Sequence, residues 1–141
     1  MCQFKSGLTL RNGDIVHHWL TSSHEDLITA NNLPDNSEIQ YFVRWEYYPK
    51  GRIDELDKYE FKVDESSTPA WFEEYRESTI KKIRSYLAGI IVRDRRPILL
   101  GGEWVLIDKA DVGRVSGAII RQMLDSSQVG AMLGSSQDGE I

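Results

Sequence analysis

The chain has 141 residues, with 17 Lys plus Arg against 22 Asp plus Glu and a formal net charge of −5. An acidic balance argues against a general nucleic-acid binder, because counterion release needs a basic face. A composition that is 40% hydrophobic and 28% charged argues against disorder along the whole chain, and no apolar run reaches the ~18 residues of a membrane span.

Residues 2–23 predict a β-hairpin. Asn12-Gly13 is a strong signal for a two-residue type I′ turn. That turn pairs Leu10 with Ile15, Leu8 with His17, Ser6 with Trp19, Phe4 with Thr21 and Cys2 with Ser23. One face then carries Cys2, Phe4, Leu8, Leu10, Ile15, His17 and Trp19, and is expected in the core. A short helix follows at about 24–31, with Ser22 or Ser23 as N-cap and Glu25 or Asp26 in its first turn. After a loop through Asn31–Asn36, residues 38–48 are aromatic and β-branched enough for a strand. Its two faces are Ile39, Tyr41, Val43, Trp45, Tyr47 and Gln40, Phe42, Arg44, Glu46, Tyr48. A further strand fits Lys58–Asp64, with Tyr59, Phe61 and Val63 inward.

Thr68 as N-cap and Pro69 at the first helical position open the main helix. Trp71, Tyr75, Ile83, Tyr86, Leu87 and Ile90 form its apolar stripe, and it ends near Val92. Apolar strands at Ile98–Leu100 and Glu103–Ile107 flank Gly101-Gly102. From Val112 the chain turns rich in Gly, Ser and small apolar residues. Leu124–Met132 and Leu133–Ile141 repeat Leu, Ser-Ser-Gln and a later Gly at a nine-residue period, the kind of short period found in stacked β-coils. The G-G-x-G-x-D pattern of calcium-binding nonapeptides is absent, so no calcium is expected. The fold class is therefore α+β: an antiparallel sheet with one long packed helix and a short C-terminal β-solenoid-like repeat stub. The expected organisation is an α+β domain over 1–111 with a repeat tail over 112–141 packed on it.

Several segments together carry a resemblance: Cys2–Gly7, Ser23-His24, Phe42–Glu46, Val63–Glu65, Pro69–Phe72 and the Ser-Ser-Gln repeats. They resemble an uncharacterised family of bacteriophage and bacterial proteins that joins such an N-terminal domain to a tail of short repeats. The resemblance covers nearly the whole chain and implies a phage or prophage setting. It carries no established activity and so transfers no catalytic residue. The tail departs from longer members by stopping after two repeats.

Cys2 is the sharpest chemical feature. Removal of Met1 would leave a residue with both a thiol and an α-amine, as used by N-terminal-nucleophile amidotransferases and by proteins that crosslink to abasic DNA. A thiolate needs a base or positive end nearby. The predicted register sets Cys2 opposite Ser23, beside His24, so a catalytic Cys2–His24 dyad is one reading. Arg44, Glu46 and Tyr48 from the neighbouring strand would complete a polar binding pocket. The competing reading makes Cys2 a small buried core residue, which is common for cysteine. His17 and His18, adjacent on a strand, point to opposite faces, so the three histidines predict no metal site. The aromatic cluster of Tyr41, Trp45, Tyr47, Trp71 and Phe72 fits the core better than a binding platform.

A single cysteine forms no internal disulfide, and the N-terminus lacks the apolar region of a secretory signal. The expected location is the cytoplasm of a host bacterial cell. The leading functional expectation is a non-enzymatic phage or prophage accessory protein that binds another, host-derived protein, with a host defence component as one candidate target. Neither a cofactor nor a membrane partner is expected, and the repeat tail is a candidate surface for homo-oligomers. An enzyme or abasic-DNA crosslinker using Cys2, and a structural virion component, are the alternatives.

Overall fold

The computed structural model describes residues 5–34, 40–133 and 137–138. The chain is mixed α and β and divides into two compact units, Met1–Ser85 and Tyr86–Ile141.

The first unit holds β1 (Lys5–Leu10), β2 (Ile15–Val16), α1 (His24–Ala30), β3 (Phe42–Pro49), β4 (Tyr59–Val63) and most of α2 (Ala70–Ile90). Its sheet is antiparallel in the order β2-β1-β3-β4. The hairpin forms, but its register lies one residue from the expected one: Leu8 faces Val16 and Thr9 faces Ile15. The cause is the turn. The Gly13 N–H donates to the Leu10 carbonyl at 2.9 Å, and the Leu10 N–H donates to the Asp14 carbonyl at 2.7 Å. The loop is thus Arg11-Asn12-Gly13, with Gly13 at φ 93°, a type I turn closed by a left-handed glycine. A type I′ turn needs Asn12 at positive φ as well. Its side chain instead accepts the Asp14 N–H at 3.0 Å. Beyond Val16, the β-bridge among the described residues is His18–Thr21, not a continuation of the expected ladder; the expected partners Cys2 and Phe4 fall outside the described residues.

A one-residue slip exchanges the faces of a strand. Leu8 and Phe42 therefore pack with Leu27 and Ile28 of α1, flanked by Leu10, Val16, Leu33 and Tyr41. Ile15 belongs with Thr9 on the opposite face, together with Val43, Trp45, Tyr47 and Phe61. Helix α2 covers that second face. The Trp45 Nε1–H donates to Thr9 Oγ1 at 2.9 Å, and the Thr9 and Thr79 hydroxyls bond at 2.9 Å. Phe61 and Phe72 stack at 6.4 Å, and Arg84 Nε donates to the Tyr47 hydroxyl at 3.1 Å. The helix residues buried in this unit are Phe72, Thr79 and Ile83. Trp71 and Tyr75, expected to lead the stripe, are only half-buried, with Trp71 Nε1 donating to the Gln40 carbonyl at 3.2 Å. Helix α1 begins as expected: Ser23 is the N-cap, and its hydroxyl accepts the Asp26 N–H.

The second unit holds β5 (Ile91–Val92), β6 (Arg95–Leu100), β7 (Glu103–Leu106), β8 (Asp111–Ser116), β9 (Ile119–Met123), β10 (Gln128–Leu133) and β11 (Gln137–Asp138). Two parallel sheets alternate along the chain, in the orders β10-β8-β6 and β11-β9-β7-β5. Arg95 aligns with Asp111 and Asp111 with Gln128, offsets of 16 and 17 residues. Glu103 aligns with Ile119 and Ile119 with Gln137, offsets of 16 and 18. The strands β10 and β11, which carry the described parts of the two nine-residue copies, therefore lie in different sheets rather than one above the other, contrary to expectation; the rest of the second copy lies outside the described residues. Nine residues supply one strand and one turn, whereas returning to the same sheet takes two of each. Val92, Leu99, Leu106, Val112, Val115 and Ile120 form this unit's core, with Ala110 and Ala118. Gly113 and Gly130 are required by close approach: a Cβ on each would stand 2.8 Å from the Pro97 carbonyl oxygen and 2.7 Å from that of Gly113. No described helix is long and apolar enough to cross a membrane.

Candidate functional site

The residues singled out on β3 meet a set of acids that sequence spacing does not reveal. Arg44 and Glu46 alternate with Trp45 and so share one face of β3. They do not pair with each other. The Arg44 guanidinium bonds both Glu65 carboxylate oxygens at 3.2 and 3.3 Å and lies 3.6 Å from Glu25. Glu65 also accepts the Arg44 backbone N–H at 2.9 Å, and the Asp64 N–H donates to the Arg44 carbonyl at 2.8 Å. The segment after β4 is thereby tied to β3 alongside Arg44.

His24, the first residue of α1, reaches the same place. Its Nε2 lies 2.9 Å from the Trp45 carbonyl oxygen. A carbonyl can only accept, so Nε2 carries the hydrogen and Nδ1 is left facing Asp64, 3.5 Å from Oδ2. The ligating atoms of His24, Glu46 and Asp64 all lie within 4.8 Å of one another. The structure thus brings together His24, Arg44 and Glu46 from the expected site and adds Glu25, Asp64 and Glu65. Those three acids escape a reading by spacing because they arrive from α1 and the end of β4. The pair Asp64-Glu65, directly after an apolar strand, is the one visible trace.

Tyr48 does not join the His24–Asp64 group; its hydroxyl donates to Glu60 Oε2. That bond, followed by partial loss of hydration and then the nearby Glu60 and Glu46 charges, raises the phenol above its ordinary value. Cys2 lies outside the described residues, so the Cys2–His24 dyad has no geometry here.

A second polar cluster lies inside the second unit. The Glu103 side chain is fully buried and accepts from the Tyr86 hydroxyl at 2.6 Å and from Arg121 Nε at 2.9 Å. Its acceptors are occupied by neighbours, which marks it as a structural element of the sheet interior.

No family model matches the chain, and neither does any curated protein or solved structure.

Proposed function

We propose that this chain is a phage or prophage accessory protein that acts by binding another protein, without catalysis, a host defence component being the class of target favoured by its setting. The setting rests on the resemblance of its segments to bacteriophage and bacterial proteins. The Tyr86–Ile141 unit is read as a short β-solenoid-like stub, on the strength of the 16–18-residue offsets between parallel strands.

One observation carries the binding reading: the outer face of the β10-β8-β6 sheet presents large apolar side chains to solvent. Ile98, Leu100 and Leu133 are 41%, 66% and 44% exposed. Leu100 and Leu133 both align with Ser116, and Ile98 aligns with Arg114, so they form adjacent rows on one face. Beside them is a shallow groove of about 340 Å³ lined by Pro97, Ile98, Gly113 and Arg114. Large apolar side chains grouped on one exposed sheet face are a feature of interaction sites. The Arg114 guanidinium makes no ion pair among the described residues. The fitting partner is an extended segment with apolar side chains and an acidic group opposite Arg114, laid along the glycine-floored groove.

The test is direct binding. A protein captured from a bacterial host is purified and titrated against the wild type and the Leu100→Asp and Arg114→Glu variants. The reading expects both variants to lose affinity by at least ~10-fold, as for substitution at an interface centre. Equal binding by both variants would move the interface elsewhere, and the lack of any specific partner would overturn the reading.

A further inference from the structure

We infer that His24, Glu46 and Asp64 form a binding site for one divalent transition-metal ion of the zinc, cobalt or manganese class. One imidazole nitrogen and two carboxylate oxygens converge within 4.8 Å. Ligands ~2.1 Å from a tetrahedral ion stand about 3.4 Å apart, and His24 Nδ1 and Asp64 Oδ2 are 3.5 Å apart. The Nε2–H bond to the Trp45 carbonyl fixes the tautomer and ring orientation, the arrangement that metal-bound histidines use on their far nitrogen. The nitrogen donor favours a transition metal over calcium or magnesium, which take oxygen ligands.

Charge and burial point the same way. Arg44, two residues before Glu46 on the same face of β3, is held by Glu65 and Glu25. Lys62 stands across from Glu46 in the β3–β4 register but makes no ion pair with it among the described residues. Among the described residues, neither Glu46 nor Asp64 makes an ion pair with a lysine or an arginine. Directly across from Glu46 on β1 stands Ser6, 1% exposed, whose Oγ has no hydrogen-bond partner among the described residues. A buried hydroxyl without a partner is costly. A metal-bound water, or a carboxylate oxygen of Glu46 drawn in by the ion, would satisfy it.

The experiment titrates the full chain with cobalt(II), followed by visible absorption, and then with zinc in competition with a chromophoric chelator. Calcium is the control. The expected result is saturation at one equivalent of cobalt, displaced by zinc and indifferent to calcium. The Glu46→Gln/Asp64→Asn double variant should bind at least ~10-fold more weakly, and Cys2→Ser should bind like the wild type. No saturable binding, or undiminished binding by the double variant, would overturn the site. So would binding that shows a thiolate-to-cobalt charge-transfer band and vanishes in Cys2→Ser. Should the double variant not fold, Asp64→Asn alone, at a side chain 57% exposed, gives the same reading.

Discussion

Gly7 and Trp45 face each other across β1 and β3, and the Trp45 indole lies where a side chain on residue 7 would begin: an added Cβ would stand 2.5 Å from Cζ2 and Cη2. The missing side chain lets the indole lie over β1 and deliver its Nε1–H to Thr9. The Val16 carbonyl oxygen, 2.9 Å from the same point, closes the other side. Gly7→Ala should therefore cost about 1–3 kcal/mol through overpacking, read as a lower denaturant midpoint at unchanged slope. A loss below ~0.5 kcal/mol would mean that the indole moves aside freely.

On the α2 side of the same sheet, Phe72 is fully buried and stacked on Phe61, whereas Trp71 is half-buried. Phe72→Ala should cost about 3–5 kcal/mol, and Trp71→Ala distinctly less. Equal losses in thermal or denaturant melts would contradict the assigned packing.

Arg121 is the cationic partner of a carboxylate that has no access to water. Arg121→Met leaves Glu103 with the Tyr86 hydroxyl but without its guanidinium bond. The expected loss is about 2–3 kcal/mol, below the full cost of breaking a buried pair because Arg121 itself is partly exposed. The Glu103→Gln/Arg121→Met double variant should recover part of that loss. A double variant less stable than the single would show that the charge is not the penalty.

A buried and a half-buried tyrosine predict alkaline unfolding. Burial raises the Tyr86 hydroxyl above the ordinary phenol value, helped by its bond to Glu103. Burial likewise raises Tyr59, helped by the Tyr47 and Asp54 charges, and the Tyr59 hydroxyl donates to the Ile53 carbonyl at 2.6 Å. A raised folded-state value means that the neutral phenol is favoured in the native chain. This stability is fully present below the ordinary phenol range near pH ~10 and falls as pH rises above it. Phenolate absorbance at high pH should therefore appear for these two rings together with loss of structure, and Tyr86→Phe should reduce the steepness of the stability loss. Ionisation of every tyrosine in a chain that stays folded would refute the coupling.

Helix α1 and its Ser23 cap, the strand through Trp45, the strand 59–63 and the long helix are all legible in the sequence, because capping, β-branched runs and helical spacing act over a few residues; the long helix begins at Ala70, one residue after the expected Pro69. The candidate site is less legible. His24, Arg44 and Glu46 stand out, but Asp64 and Glu65 gain meaning only when β4 pairs with β3 and brings them beside Arg44. The Leu124 and Leu133 repeats are visible as a nine-residue period, yet that period does not say whether consecutive copies stack or alternate between sheets.

Local chemistry in the sequence determined the two helices, the strands around Trp45 and Phe61, the mixed α and β class and the acidic balance. Tertiary structure decided the rest. Asn12-Gly13 permits both a two-residue and a three-residue loop. The choice that buries Leu8 against Leu27 and Phe42 while leaving Gly7 under Trp45 wins, because burial of whole faces outweighs the preference of one turn. The grouping of His24, Glu46 and Asp64 has the same origin: residues 22 and 18 positions apart meet only where three elements pack, and no short-range rule encodes that meeting.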